Sequence, residues 1–345
     1  MERIKFSMSE IDNMTTRENV FGMKTNIYDT PITPRENMRL LFEKKLPMWI
    51  PRYSDFGPMA ITANPDNGAR MKGGEDMFGV PWETGEGGFG TMVRPGDSKV
   101  ADINRWEEFV TMPDPASWDW AANLERVKEI ADPDRMTDAL FFTGFFERLI
   151  SFMDFANAAV ALIDDDQKPG VHRLFGKLCE IYETILAEYK KLGVDVVTLH
   201  DDWGSQRAPF FSEATIREMI LPYFKRIVKF VHDNGMFFDF HSCGKLETLV
   251  PLMIEAGVDC WSGQDINDYT LVKRLYGDKL ILVDAPSIGL PQGKAAEDID
   301  EARLLAEAEA FIEGVAKDGG CMLAFMVGPE IDKYIYILGR KAYCG

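Results

Sequence analysis

Three short polar clusters follow apolar runs in this 345-residue chain, and each holds side chains able to do chemistry. His241 and Cys243 lie two residues apart in His-Ser-Cys-Gly, directly after the run Met-Phe-Phe-Asp-Phe. From the end of a strand such a pair can aim an imidazole and a thiolate at one centre. A third soft ligand is available far downstream in Cys321, which opens the run Cys-Met-Leu-Ala-Phe-Met-Val; only the fold could bring it near. One histidine and two cysteines with an open fourth position make a catalytic zinc set. The competing reading is a strand-end histidine bonded to backbone, beside an inert buried cysteine.

The second cluster is His200-Asp201-Asp202-Trp203-Gly204 after Val-Asp-Val-Val-Thr-Leu. Two carboxylates beside a histidine can orient a metal-bound imidazole, move a proton or hold a polar substrate. Turn-capping aspartates beside a core histidine are the plainer alternative. The third is Glu147, at the end of Leu-Phe-Phe-Thr-Gly-Phe-Phe-Glu. A carboxylate there is costly to bury unless it is paired or functional, and Arg148 is a ready partner. His172 and His232 fall inside helix-period segments and are expected to be surface or packing residues.

These clusters need a frame that gathers strand ends. Short, near-continuous apolar runs recur at Pro47–Tyr53, Leu140–Glu147, Val194–His200, Met236–His241, Cys260–Ser262, Leu280–Asp284 and Met322–Val327. Runs of this kind suit strands buried on both faces of a parallel sheet. Helix-period segments lie between them, at Gly170–Leu192, Ser212–Asn234, Leu246–Ala256 and Ala302–Ala316. Thr33-Pro34-Arg35-Glu36 forms a capping-box start for a further helix, and Gly193, Gly235 and Gly257 mark stops. Seven or eight such βα units predict a TIM-type (β/α)8 barrel, an α/β fold with its active site at the C-terminal strand ends. Residues 1–345 read as one barrel domain, with an N-terminal arm over 1–32. The Gly-rich stretch 57–96 reads as a β-hairpin insertion or lid.

Composition narrows the function. A net charge of −18 and a pI near 4.7 leave no basic stripe for nucleic acid or an anionic membrane. No apolar run is long enough to span a bilayer, and the charged start Met-Glu-Arg-Ile-Lys lacks a signal-peptide core. Five scattered cysteines argue against a disulfide framework and for a reducing cytoplasm. Neither phosphate-cradling glycine motifs nor a serine nucleophile elbow occur. Acidic stretches such as 297–301 read as solvated faces.

On the run HDDWGSQRAPFFSEATIREMILPYFKRIVKFVHDNGMFFDFHSCGKLETLVPLMIEAGVD (200–259), the chain resembles the uroporphyrinogen decarboxylase-like superfamily. More narrowly it is similar to its cobamide (corrinoid)-dependent methyltransferase branch, of the O-demethylase methyltransferase I type. TPRENMRLLFEKKLP (33–47) and FFERLISFMDFANAAVALIDD (145–165) carry the likeness further, and it is weakest over 57–96. The resemblance implies zinc on His241, Cys243 and Cys321, with Glu147, Glu330 or water open for the fourth place. It also sets porphyrinogen decarboxylation aside. Decarboxylases carry an Arg-rich signature after the first strand, where this chain has only Arg52, and a net charge of −18 suits a polyanion poorly.

The branch implies two directions of transfer. Zinc either holds a thiol that accepts a methyl group from methylcobalamin, or polarises a methyl donor for attack by cob(I)alamin. The lid and the paired acids favour the demethylating direction, with a small methyl ether such as an aryl methyl ether as donor. Asp201, Asp202 or His200 would then serve the leaving oxygen, while Tyr53, Glu147 and Trp203 contact the substrate. Phe56, Met59, Trp82, Phe89 and Phe210 would add to an aryl-binding mouth. Asp-x-His-x-x-Gly, the signature of a cobalamin module, is absent, so the corrinoid is expected on a separate partner protein. A homodimer is open. Methyl transfer to a thiol is the alternative, and a decarboxylase or a non-catalytic corrinoid-complex scaffold stand further off.

Overall fold

The structure is a computed structural model that describes residues 2–18, 24–85, 90–286, 300–325 and 327–345. The chain divides into two compact units: Met1–Gly57, Asp132–Met136 and Asp259–Gly345 form a terminal unit, while Pro58–Ala131 and Thr137–Val258 form a central one.

The central unit is built on three parallel strands, Asp138–Phe141, Val196–His200 and Phe237–His241. Their residues are almost all buried, as the apolar runs require. The register sets His200 directly opposite His241, so two of the polar clusters begin at the same level. Helix Lys168–Lys191 returns the chain between the first two strands, and Gly193 (φ 85°) turns it toward the second. The expected helix 212–234 is in fact two, Glu213–Met219 and Leu221–Asp233. Ser212 caps the first through the Thr215 amide (3.1 Å). Pro222 explains the break: it lacks an N–H, and its ring opposes the carbonyl of the preceding turn. The expected strand over Leu140–Glu147 ends at Phe141, and Phe145–Met153 is a helix. A continuous apolar run does not tell a buried strand from a buried helix. Glu147 therefore sits in a helical first turn rather than at a strand end.

The 57–96 stretch does contain antiparallel pairing, between Gly74–Glu75, Pro81–Thr84 and Thr91–Met92. It also carries a helix, Pro65–Lys72, which starts at a capping Asn64 with Pro65 in its first turn. Buried charge fixes this layer. The Arg148 guanidinium bonds Asp66 and Asp76, and all three side chains are fully enclosed. Burial pushes the Asp66 carboxyl up to about 6 against the pull of Arg148, while Asp76, with Trp82 and backbone N–H groups as further donors, stays low.

The terminal unit has its own parallel strands, Cys260–Ser262, Ile281–Asp284 and Cys321–Leu323. The expected strand Pro47–Tyr53 is reduced to one bridge, Arg52 to Leu323, because two prolines deprive it of ladder donors. Thr33 and Glu36 form the expected capping box on helix Pro34–Phe42. The N-terminal arm is more ordered than its polar sequence suggests. It holds helix Ser9–Asp12 and an antiparallel pair, Thr15–Glu18 with Lys24–Ile27. Arg340, in helix Pro329–Cys344, bonds both Glu10 carboxylate oxygens at 2.8 Å. Among the described residues no helix is long and apolar enough to cross a membrane.

Removing one partner of a buried ion cluster strands the others, at a cost of about 3–5 kcal/mol. Arg148→Ala is expected to lower unfolding free energy by that order in urea titration, whereas Lys128→Ala, in an exposed pair, stays within about 0.5 kcal/mol.

Candidate metal centre

The centre is assembled in the central unit where strands Val196–His200 and Phe237–His241 end. Asp201 sets the frame. Its carboxylate accepts the amides of Phe146 (3.1 Å) and Glu147 (2.8 Å), the first turn of helix Phe145–Met153, and also the Trp203 indole N–H (2.8 Å). It thus caps from another strand a helix whose own N-cap, Gly144, offers no side chain. Glycine is required there, since a Cβ would stand 2.2 Å from Asp201 Cβ. Burial and the Glu147 carboxylate push Asp201 up to about 7, against the three donors that favour its anion.

Expected as a catalytic acid, Asp201 is wholly enclosed and its oxygens are spent on the helix, so its part is positioning. Trp203, expected to touch substrate, is equally enclosed between Phe224 and Phe240. Its apolar area is worth more in the core than at a rim.

The strand-end loops are pinned to each other. Ser242 Oγ accepts the Trp203 amide (3.0 Å), and Asp202 Oδ1 accepts the Cys243 amide (2.7 Å). Gly244 (φ 102°) lies so close to Gly204 that a Cβ would meet its backbone at 2.3 Å. The glycines closing both sequence clusters are there for this approach.

What the loops leave partly open is a group of ligand-type side chains. His200, Asp202 and His241 each offer an atom within 4.8 Å of the others. The two imidazoles stack with centroids 4.6 Å apart, and Cys243 Sγ lies 3.6 Å from His241 Nε2. Burial, and then the neighbouring His200, take His241 down to about 3, so its ring is neutral as a ligand must be. Burial and Asp202 raise the Cys243 thiol. Imidazole, thiol and carboxylate donors of this kind fit zinc.

Glu147 belongs to this group, although not as an open carboxylate. Arg70 holds it with two bonds of 3.1 Å, and His200 Nδ1 stands 3.0 Å from Oε2. Burial alone would raise its carboxyl, but the Arg70 and His200 charges hold it down at about 2. His200 is desolvated too, yet Glu147 outweighs that loss and lifts it. Arg70 comes from helix Pro65–Lys72 of the insertion and lies over the Trp82 ring at 4.5 Å. Sequence reasoning missed it, since an arginine in a Gly-rich stretch carries no signal. The Asn64-Pro65-Asp66 cap could have revealed its helix.

The remaining expected residues belong to the terminal unit or lie elsewhere. Tyr53 opens a short turn and packs edge-on to Phe56 (5.6 Å) and near Phe325 (5.8 Å). Cys321 is the first residue of its strand, opposite Leu282, and is fully buried. Glu330 is exposed in the first turn of its helix. Met59 and Phe210 are half-buried, Trp82 donates to Asp76 (3.0 Å), and Phe89 lies outside the described residues, as do 297–299. His172 bonds the Tyr223 hydroxyl (2.9 Å), a packing role as expected.

The chain matches the uroporphyrinogen decarboxylase (URO-D) family over residues 77–284 and belongs to it. Among solved structures it is similar to a methyltransferase from Methanosarcina mazei, at 13% identity and a TM-score of 0.59. That likeness covers 91% of this chain and 100% of the other. A sugar phosphate isomerase/epimerase from Parabacteroides distasonis shares 10% identity over 69% of this chain and 82% of that one, with a TM-score of 0.37. No curated protein matches the chain in sequence. The fold class is thus the α/β, TIM-type one that the sequence predicts.

Gly144→Ala should cost about 1–3 kcal/mol, because strand end and helix must part to admit the methyl group. Gly68→Ala, whose Cβ would meet nothing within 4 Å in helix Pro65–Lys72, is expected to be neutral or to gain about 0.5–1 kcal/mol. Paired urea titrations check both.

Proposed function

We propose that this protein is a zinc-dependent methyltransferase that moves a methyl group from a small methyl ether to the corrinoid of a separate partner protein. The observation that carries this reading is the convergence of His241, Cys243, His200 and Asp202 at two adjacent strand ends. The fold shared with the Methanosarcina mazei methyltransferase agrees with it.

His241 and Cys243 would hold the zinc, which supplies a Lewis acid to draw charge from the ether oxygen. The chain's own residues do the rest. Asp201 keeps the Glu147 helix against the strand ends. Asp202 fixes the Cys243 amide and keeps its other oxygen for a proton bound for the leaving oxygen. The overall exchange breaks the methyl–oxygen bond, forms a methyl–cobalt bond on the partner, and protonates the released alcohol or phenol.

Decarboxylation of a polycarboxylate is disfavoured by Arg52. Its guanidinium is buried and spent on Asp55 (2.7 Å) and Asp332 (3.2 Å), so it is not free to bind a substrate carboxylate.

About one zinc per chain is expected on elemental analysis of protein purified without chelator, lost in His241→Ala and Cys243→Ala. With a reduced corrinoid protein and aryl methyl ethers, methylcobalt absorption should rise with the wild type and not with either variant. A zinc-free wild type that turns over porphyrinogens would overturn the proposal, as would transfer to thiols without activity on any ether.

A further inference from the structure

Three large apolar side chains stand exposed on one stretch of the central unit, Phe155 at 45%, Val160 at 47% and Ile163 at 60%. They belong to helix Phe155–Ala161 and the turn that follows it. At about 100° per residue, Phe155, Ala156, Ala159, Val160 and Ile163 share one side of the helix. Ala158, Ala161 and Leu162 are buried on the other. The outer face of a surface helix ordinarily carries charge, and this one carries none. Phe155 also packs against the half-buried Phe210 (5.0 Å), which widens the apolar surface at that end. The patch exposes on the order of 300–400 Å² of apolar area, a size that marks an interaction face.

Its two ends carry opposite charge. Asp164, Asp165 and Asp166 follow Ile163 directly. The Asp165 side chain is 91% exposed even with Lys168 at 2.8 Å, and the Asp166 carboxylate has no partner among the described residues. At the Phe155 end, Phe210 closes a loop that the Gly204–Pro209 bridge folds back on itself. Arg207 in that loop is exposed and makes no ion pair among the described residues. Cation, apolar stripe and anions therefore run in order along one surface. Turned end for end, such a surface complements itself, which is what a twofold contact between identical chains requires.

We propose that this face joins two copies of the chain, with helix Phe155–Ala161 packed antiparallel on its twin. Ala159 lies at the middle of the stripe, near the twofold axis, where a small side chain lets the helix axes approach to about 8 Å. Each Phe155 then meets the other copy's Ile163, and each Arg207 loop meets the other copy's acidic turn. Two such stripes and their polar rims bury an area near the lower limit of about 1,200 Å² for specific interfaces, so the dimer is weak, with a dissociation constant in the micromolar range. The contact is independent of the zinc reading. Asp154 alone separates this helix from Phe145–Met153, so pairing braces the helix that carries Glu147.

The test is sedimentation of the full chain from about 1 to about 200 μM, in about 0.15 M salt, which mutes the repulsion between two chains of net charge −18. The wild-type mass should rise with concentration from 39.0 kDa toward twice that value. Val160→Asp and Ile163→Asp, at exposed positions and checked for folding by circular dichroism, should each weaken association roughly 100-fold. Arg207→Glu should weaken it roughly 10-fold, and adding Asp165→Lys and Asp166→Lys to that variant should restore it. A wild type that stays monomeric at the highest concentration would overturn the proposal, as would a dimer that Val160→Asp leaves intact. Reversed charges that fail to restore association would overturn the antiparallel arrangement.

Discussion

The candidate centre depends on one carboxylate placed where a helix begins. Asp201 directly follows a strand, yet its oxygens serve the first-turn amides of helix Phe145–Met153. That bond fixes Glu147 relative to His200, because Glu147 is itself one of the two amide donors. Free amides and the helix dipole favour an anion there, while enclosure raises the cost of leaving either side unpaired. The close approach excludes even a methyl group at Gly144. Strand end, helix start and glycine therefore form one unit that no single substitution can relax.

Charge then spreads from this point in a definite order. Arg70 neutralises Glu147, Glu147 orients His200, and His200 stacks on His241. Next to Glu147 in the same helix, Arg148 turns to Asp66 and Asp76. Adjacent residues of one helix thus bond the insertion twice, once toward the centre and once in the core. An insertion with weak sequence character becomes a wall of the site through buried ion pairs, whose partners cannot be removed singly at low cost.

Family membership and shared fold set the class of architecture but not the chemistry, which belongs to the site. Here the site sets soft and nitrogen donors side by side, and in the terminal unit Arg52 is paired with Asp55 and Asp332.

Much was legible in the sequence. The buried strands at Val196–His200, Phe237–His241 and Cys260–Ser262 follow from short β-branched and aromatic runs. The Thr33 box and Ser212 cap follow from hydrogen-bonding needs that are local. So does the placement of His200 and His241, since polar residues that close such runs lie at strand ends. Other features depended on what lies across space. The sequence reads Phe145–Glu147 as strand, because an apolar run has no period to betray a helix. It offers Asp201 for catalysis and Trp203 for substrate contact, because nothing local says that a distant helix will take up a carboxylate or that a core will take up an indole. It offers Cys321 as a further ligand by residue type, and Cys321 opens a buried strand of the terminal unit. Arg70 had no local signature, and only tertiary packing delivers it to Glu147. Short-range hydrogen bonding and burial period are written in neighbouring residues; partnership between charges is written in the fold.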